Sequence, residues 1–165
     1  MKSTSICFPF ICTLLLAACV DQHPYVNDIQ GPTADLRMRT YIGSATALVI
    51  PDACASSKRQ IAGQLTRTSK DPRAPDPYVD VKIPAGAPIG VGFITSANQP
   101  GLGTCTDFAQ FLPQPSEHYL ATIAVSTKDP KHLMCVLRVY IPHKEEDGTY
   151  WEQPIPVTTL NQSCH

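Results

Sequence analysis

The chain has 165 residues, with 13 Lys+Arg against 14 Asp+Glu, a net charge of −1 and 16 % charged residues. That balance excludes a nucleic-acid binder held by bulk charge, and 43 % hydrophobic residues exclude a disordered charged tail. The length is too small for a barrel of eight βα units, which needs about 250 residues, and fits one domain.

The N-terminus reads as an address. Met1-Lys2 is basic and residues 6–16 are mostly apolar. The stretch is shorter than the roughly 20 residues of a membrane span and describes a secretory signal. It ends in Leu16-Ala17-Ala18-Cys19, which resembles the lipobox of bacterial lipoproteins. The resemblance implies removal of residues 1–18 and acylation of Cys19 on its sulfur and its amine. Several acyl chains hold a bilayer stably where one does not. Val20 stands where an Asp would favour retention in the inner membrane. The resemblance therefore implies the outer membrane, periplasmic face.

Residues 19–34, with Pro24, Gly31 and Pro32, read as the lipidated cysteine and a flexible tether reaching on the order of 20 Å. A domain over 35–165 follows. Its apolar residues alternate with period two. Leu36, Met38 and Ile42 share one face of the first strand, and Arg37, Arg39 and Tyr41 the other. Residues 46–50 form a second strand, stopped by Pro51. Residues 53–65 are the one candidate for a short helix, with Asp52 as N-cap. Residues 70–77 are a proline-rich loop. In 78–83, Val79, Val81 and Ile83 oppose Tyr78, Asp80 and Lys82. In 89–93, Gly90 and Gly92 alternate with large residues, which signals close packing or a bend. Strands are expected over 105–112, 119–125 and 133–141, the last apolar on both faces except for Arg138. Asp147-Gly148 is a turn signal. Residues 149–157 carry Pro154 and Pro156, which confine that strand to an edge.

Cys7 and Cys12 lie in the signal and Cys19 is the lipidation residue. Cys54, Cys105, Cys135 and Cys164 remain. An even number in an exported chain reads as two disulfides, with three connectivities open. The favoured one is Cys54–Cys105 with Cys135–Cys164, which would tie down the tail. Their spacing matches no metal motif, so no metal is expected.

About eight strands with regular turn signals describe an all-β sandwich. Phe111-Leu-Pro113 followed by Pro115-Ser-Glu-His-Tyr119 resembles an element of immunoglobulin-like and transthyretin-like sandwiches, and so does the run 81–91. There a strand ends in Pro, turns a corner and restarts at a Tyr. Ser116 or Glu117 stands where many such domains carry Gly, so the hydrogen bond of a tyrosine corner is not assigned from these residues. The resemblance to small Gram-negative envelope lipoproteins implies an immunoglobulin-like or transthyretin-like sandwich of about 7–8 strands, and no activity.

Chemistry-bearing motifs are sparse. The histidines are His23, His118, His132, His143 and His165. There is no Gly-x-Ser-x-Gly elbow and no His-Glu-x-x-His. Glu145, Glu146 and Glu152 crowd one hairpin instead of facing each other across a cleft. Asp71, Asp76 and Asp80 flank a loop in no known calcium spacing. Gly101-Leu-Gly103 precedes a strand and is no phosphate loop. Arg37, Arg39 and Tyr41, with Arg138 and Tyr140, are the candidate interface, because Arg and Tyr are enriched where proteins meet. The expectation is a non-enzymatic binding or assembly module. It would be held to the membrane through Cys19, with an envelope protein as partner, no nucleic acid and no cofactor. The alternatives are a periplasmic inhibitor or immunity protein, and a small-ligand-binding or hydrolytic envelope protein.

Overall fold

A computed structural model describes residues 23–26, 28–41, 43–67, 74–96, 104–126 and 134–161. The elements in chain order are β1 (His23–Pro24), β2 (Thr33–Thr40), β3 (Ser44–Ile50), β4 (Gln60–Thr66), β5 (Tyr78–Pro84), β6 (Ile89–Ser96), β7 (Cys105–Phe111), β8 (His118–Ser126), β9 (Met134–Lys144) and β10 (Tyr150–Pro154). They form two five-stranded sheets, ordered β1-β4-β3-β6-β7 and β10-β9-β8-β2-β5. All described elements are strands, which bears out an all-β sandwich-like chain.

Alternation builds the core. Along β2, Ala34, Leu36, Met38 and Thr40 are buried, while Asp35, Arg37 and Arg39 face outward. Val81 and Ile83 of β5, Tyr119, Ala121 and Ile123 of β8, and Leu137 and Val139 of β9 complete the second sheet's inner face. They meet Val49, Leu65, Ile89, Val91 and Phe93 from the first. β10 lies at an edge, as Pro154 requires.

Four expectations change. Residues 53–65 form no helix: Cys54 makes an isolated bridge to Asn161 and β4 occupies the rest. Asp52 does cap, but it caps a turn, its Oδ1 accepting from the Cys54 N–H at 3.2 Å. An aspartate serves an Asx turn and a helix N-cap by the same bond. Ten strands among the described residues replace about eight, because β1 and β4 lack clean alternation. Part of the expected tether belongs to the sheets: His23–Pro24 pair in parallel with β4, and β2 begins at Thr33. The favoured disulfide pairing is also overturned, since Cys105 is bonded to Cys135. These residues stand on β7 and β9, which approach each other from different sheets. The Leu137 N–H donates to Asp107 Oδ2 at 2.8 Å in the same seam.

Tyr25 fastens β1 across the sandwich. Its N–H donates to the Ile61 carbonyl, and its hydroxyl donates to the Lys82 carbonyl of β5 at 2.6 Å. Burial pushes the Tyr25 phenol up to about 12. The folded value exceeds the unfolded one, so the stability that neutral Tyr25 supplies is present below about pH 10 and is lost as pH rises through about 12. Tyr25→Phe is expected to cost about 1 kcal/mol at neutral pH. In urea melts followed with pH, the gap to the parent should close between pH 10 and 12. A gap that persists at pH 12 contradicts this assignment.

The glycines of β6 have the packing role their spacing signalled. A Cβ on Gly90 would lie 2.7 Å from Leu160 Cδ2 and 2.9 Å from Ile50 Cβ, and one on Gly92 would strike the Phe108 ring. Leu48, Ile50 and Leu160 are buried on this outer side of the first sheet. Gly92→Ala is expected to cost about 1–3 kcal/mol through overpacking, read as a lowered urea midpoint. An unchanged midpoint would show that Phe108 swings aside freely.

At the corner between β7 and β8, Ser116 adopts φ 63°, the left-handed region that favours glycine. The Tyr119 hydroxyl accepts from the Gln114 N–H at 2.8 Å. The bond left unassigned from sequence therefore forms.

Candidate functional site: a trough on the second sheet

The outer face of the second sheet carries the polar positions of five strands. Register sets Arg37 opposite Asp80 and Asp35 opposite Lys82 on β2 and β5. It sets Asp35 beside His118 and Arg37 beside Leu120 on β8, and Leu120 beside Tyr140 on β9. Arg39 of β2 nonetheless reaches Glu152 of β10 at 3.3 Å, although β8 and β9 lie between them. The sheet must therefore coil strongly about its strand direction, as twisted sheets do. The coil turns this face into a trough of about 800 Å³ lined by residues that include Asp35, Arg37, Arg39, Asp80, Lys82, His118, Leu120, Tyr150 and Glu152. Leu120 is buried although it points away from the core, and it forms part of the floor.

Opposite charges are matched along the walls. Arg37 Nε and Nη2 donate to the two carboxylate oxygens of Asp80 at 2.8 and 2.9 Å. That bond raises the Arg37 pKa further. The same guanidinium lies 4.2 Å over the Tyr78 ring. Lys82 Nζ is 3.0 Å from Asp35 Oδ1, and His118 Nδ1 is 3.4 Å from Asp35 Oδ2. Arg39 donates to the Tyr41 hydroxyl as well as to Glu152 and stacks on the Tyr41 ring. Partial burial raises the Tyr41 pKa against the opposing pull of Arg39. Arg39 Nε is buried without a hydrogen-bond partner.

The trough is lined by two of the five candidate interface residues. Arg37 and Arg39 line it, and Tyr41 stands beside Arg39. Tyr140 opposes Leu120 on the same face, and Arg138 is exposed opposite Thr122. Cys54, Cys105 and Cys135 lie elsewhere in structural roles, and all three are disulfide-bonded. Cys19 and Cys164 lie outside the described residues, as do Asp71, His132, His165 and residues 70–73 of the proline-rich loop. Asp76 of that loop pairs with Arg67 at 3.6 Å. Sequence reasoning missed Tyr150 and Glu152, whose strand returns only because the sheet coils. It also missed the pairing of Arg37 with Asp80, although it had placed both on polar faces.

The Asp35 carboxylate lies 3.4 Å from the His118 imidazole, and the lining residues include no Ser, Thr or Cys to serve as a nucleophile beside it. No group of three or more potential metal ligands occurs among the described residues. Among the described residues three exposed tyrosines stand at the trough: Tyr150 lines it, and Tyr41 and Tyr78 lie against the Arg39 and Arg37 guanidinium groups. No family model matches the chain, and no curated protein matches it.

Proposed function

We propose that the chain is an outer-membrane lipoprotein, anchored through Cys19 on the periplasmic side, that serves as a non-enzymatic protein-binding or assembly module. Its binding face is the trough. The observation that carries this reading is the gathering of the exposed Tyr41, Tyr78 and Tyr150 around Arg37 and Arg39. Rigid aromatics and arginines on one concave face are the composition of interface hot spots. The fold is assigned to the immunoglobulin-like or transthyretin-like sandwiches, a reading supported by the hydrogen bond from Gln114 to Tyr119 at the β7–β8 corner.

Because β1 starts at His23, only residues 20–22 separate the anchor from the first strand. At about 3.3–3.6 Å per extended residue that link spans at most about 10–15 Å. The module would sit against its own leaflet and meet partners there. An inhibitor or immunity role would use the same face against an enzyme. The contact between His118 and Asp35 favours a second reading, water activation in a hydrolase. Turnover of ester or glycoside substrates that disappears in His118→Ala would select it.

The anchoring is tested by Cys19→Ser in intact cells. The variant should accumulate unprocessed and leave the outer-membrane fraction. A variant that is processed and still fractionates with that membrane overturns the anchor. The binding face is tested by crosslinking capture from envelopes, where one enriched envelope protein is expected. Background proteins alone would count against it.

A further inference from the structure

The binding reading leaves open how a partner engages the module, and the free edge of β10 answers it. The Glu145 N–H donates to the Thr149 carbonyl at 2.9 Å, and the Ile155 N–H donates to the Val139 carbonyl at 3.0 Å. Bonded pairs in an antiparallel ladder recur every second residue. Trp151 and Gln153 therefore bond to β9 through His143 and Ile141, their register partners. The N–H and C=O groups of Tyr150 and Glu152 are left pointing outward. Pro154 follows them and has no N–H to offer.

The other edges differ. At β7, Gln110 and Thr158 exchange both backbone bonds, at 2.8 and 3.0 Å. At β5, the Tyr25 hydroxyl takes the Lys82 carbonyl. β1 has two residues. Among the described residues β10 is exposed along its whole length. Its side chains also flank the trough, with Tyr150 and Glu152 on that side and Trp151, stacked 4.1 Å from His143, on the other.

Charge selects the occupant. Around its turn the hairpin carries Glu145, Glu146 and Asp147 against Lys144, while Glu152 is paired with Arg39. A second copy would bring the same carboxylates and be repelled. We infer that β10 captures an extended, basic segment of the partner protein as an added strand, with alternate side chains entering the trough. This rests on the protein-binding reading. Main-chain bonds would supply affinity, and the trough would select the alternate side chains.

The probe is the amidated hexapeptide Lys-Val-Lys-Val-Lys-Val, added to the full-length chain in detergent. Backbone hydrogen exchange is read at Tyr150 and Glu152. The expected result is at least tenfold slower exchange at both amides. Protection should fall away with a peptide N-methylated at alternate nitrogens, and with Glu-Val-Glu-Val-Glu-Val. Glu152→Pro removes an outward N–H while sparing the bonds to β9, so it should abolish peptide binding. Glu152→Ala removes the same carboxylate but keeps that N–H, so it should weaken binding at least tenfold less than Glu152→Pro does.

Unprotected amides overturn the inference, as does equal loss in Glu152→Pro and Glu152→Ala. A peptide-independent dimer that Glu152→Pro dissolves would assign the edge to a second copy and overturn it too. If an envelope partner is still captured by Glu152→Pro but not by Arg37→Ala with Arg39→Ala, the edge inference fails and the trough reading stands. If neither variant changes capture, the trough reading fails as well.

Discussion

Replacing both Cys105 and Cys135 by serine is expected to lower the unfolding free energy by about 3–4 kcal/mol. The bond closes a loop with a sequence separation of 30, and constraint of the unfolded chain by a loop of that size gives this magnitude. The consequence is local as well. The bridge joins β7 of one sheet to β9 of the other, beside the bond from the Leu137 N–H to Asp107. Without it, the seam between the sheets rests on that hydrogen bond and on apolar packing. Urea unfolding of the double variant should show the loss as a lower midpoint, and a loss under 1 kcal/mol would contradict it. Peptide mapping without reductant should recover Cys105 joined to Cys135. Cys54 is also disulfide-bonded, and Asn161, three residues before Cys164, bridges to it. The second recovered pair should therefore be Cys54–Cys164. Recovery of Cys54 with Cys105 would restore the pairing that the structure overturns.

The double change Arg37→Ala and Arg39→Ala should reduce partner capture by at least about 30-fold, with far less effect on stability. Two interface arginines at about 1–2 kcal/mol each give that range. The ion pair of Arg37 with Asp80 is mostly exposed, with side chains 51 % and 55 % accessible. Exposed pairs contribute about 0–1 kcal/mol to folding. Arg39 is less accessible, and its loss also frees Glu152 and Tyr41. The discriminating readout is capture at matched folded fraction. Equal capture by parent and variant would place the interface elsewhere.

What could be read from the chain follows from which forces are local. Period two is local, so the inner residues Leu36, Met38, Val81, Ile83, Ile89, Val91 and Phe93 were legible, as was the polar row of Arg37 and Arg39. The prolines at 154 and 156 marked the edge strand for the same reason. β4 was not legible. Its residues Ile61, Ala62 and Gly63 are all half-buried, and the ladder with β3 shifts register there. Such a strand carries neither the strand period nor the helix period. The pairing of cysteines depends on which strands meet across the sandwich, and sequence distance says little about that. The trough was half legible. Its residue types stood on the outer faces, but coiling of the sheet brings Glu152 to Arg39, and coiling is a property of the assembled strands.

The central claim is that partners are met on the trough and not on the opposite side. A photocrosslinking amino acid placed singly at Tyr41, Tyr78, Tyr150, Val26 and Leu112 of the full-length chain, in intact envelopes, tests it most directly. All five residues are exposed. The account predicts one crosslinked envelope protein from Tyr41, Tyr78 and Tyr150, and none from Val26 and Leu112. Crosslinks confined to Val26 or Leu112, or spread evenly over all five, would contradict it.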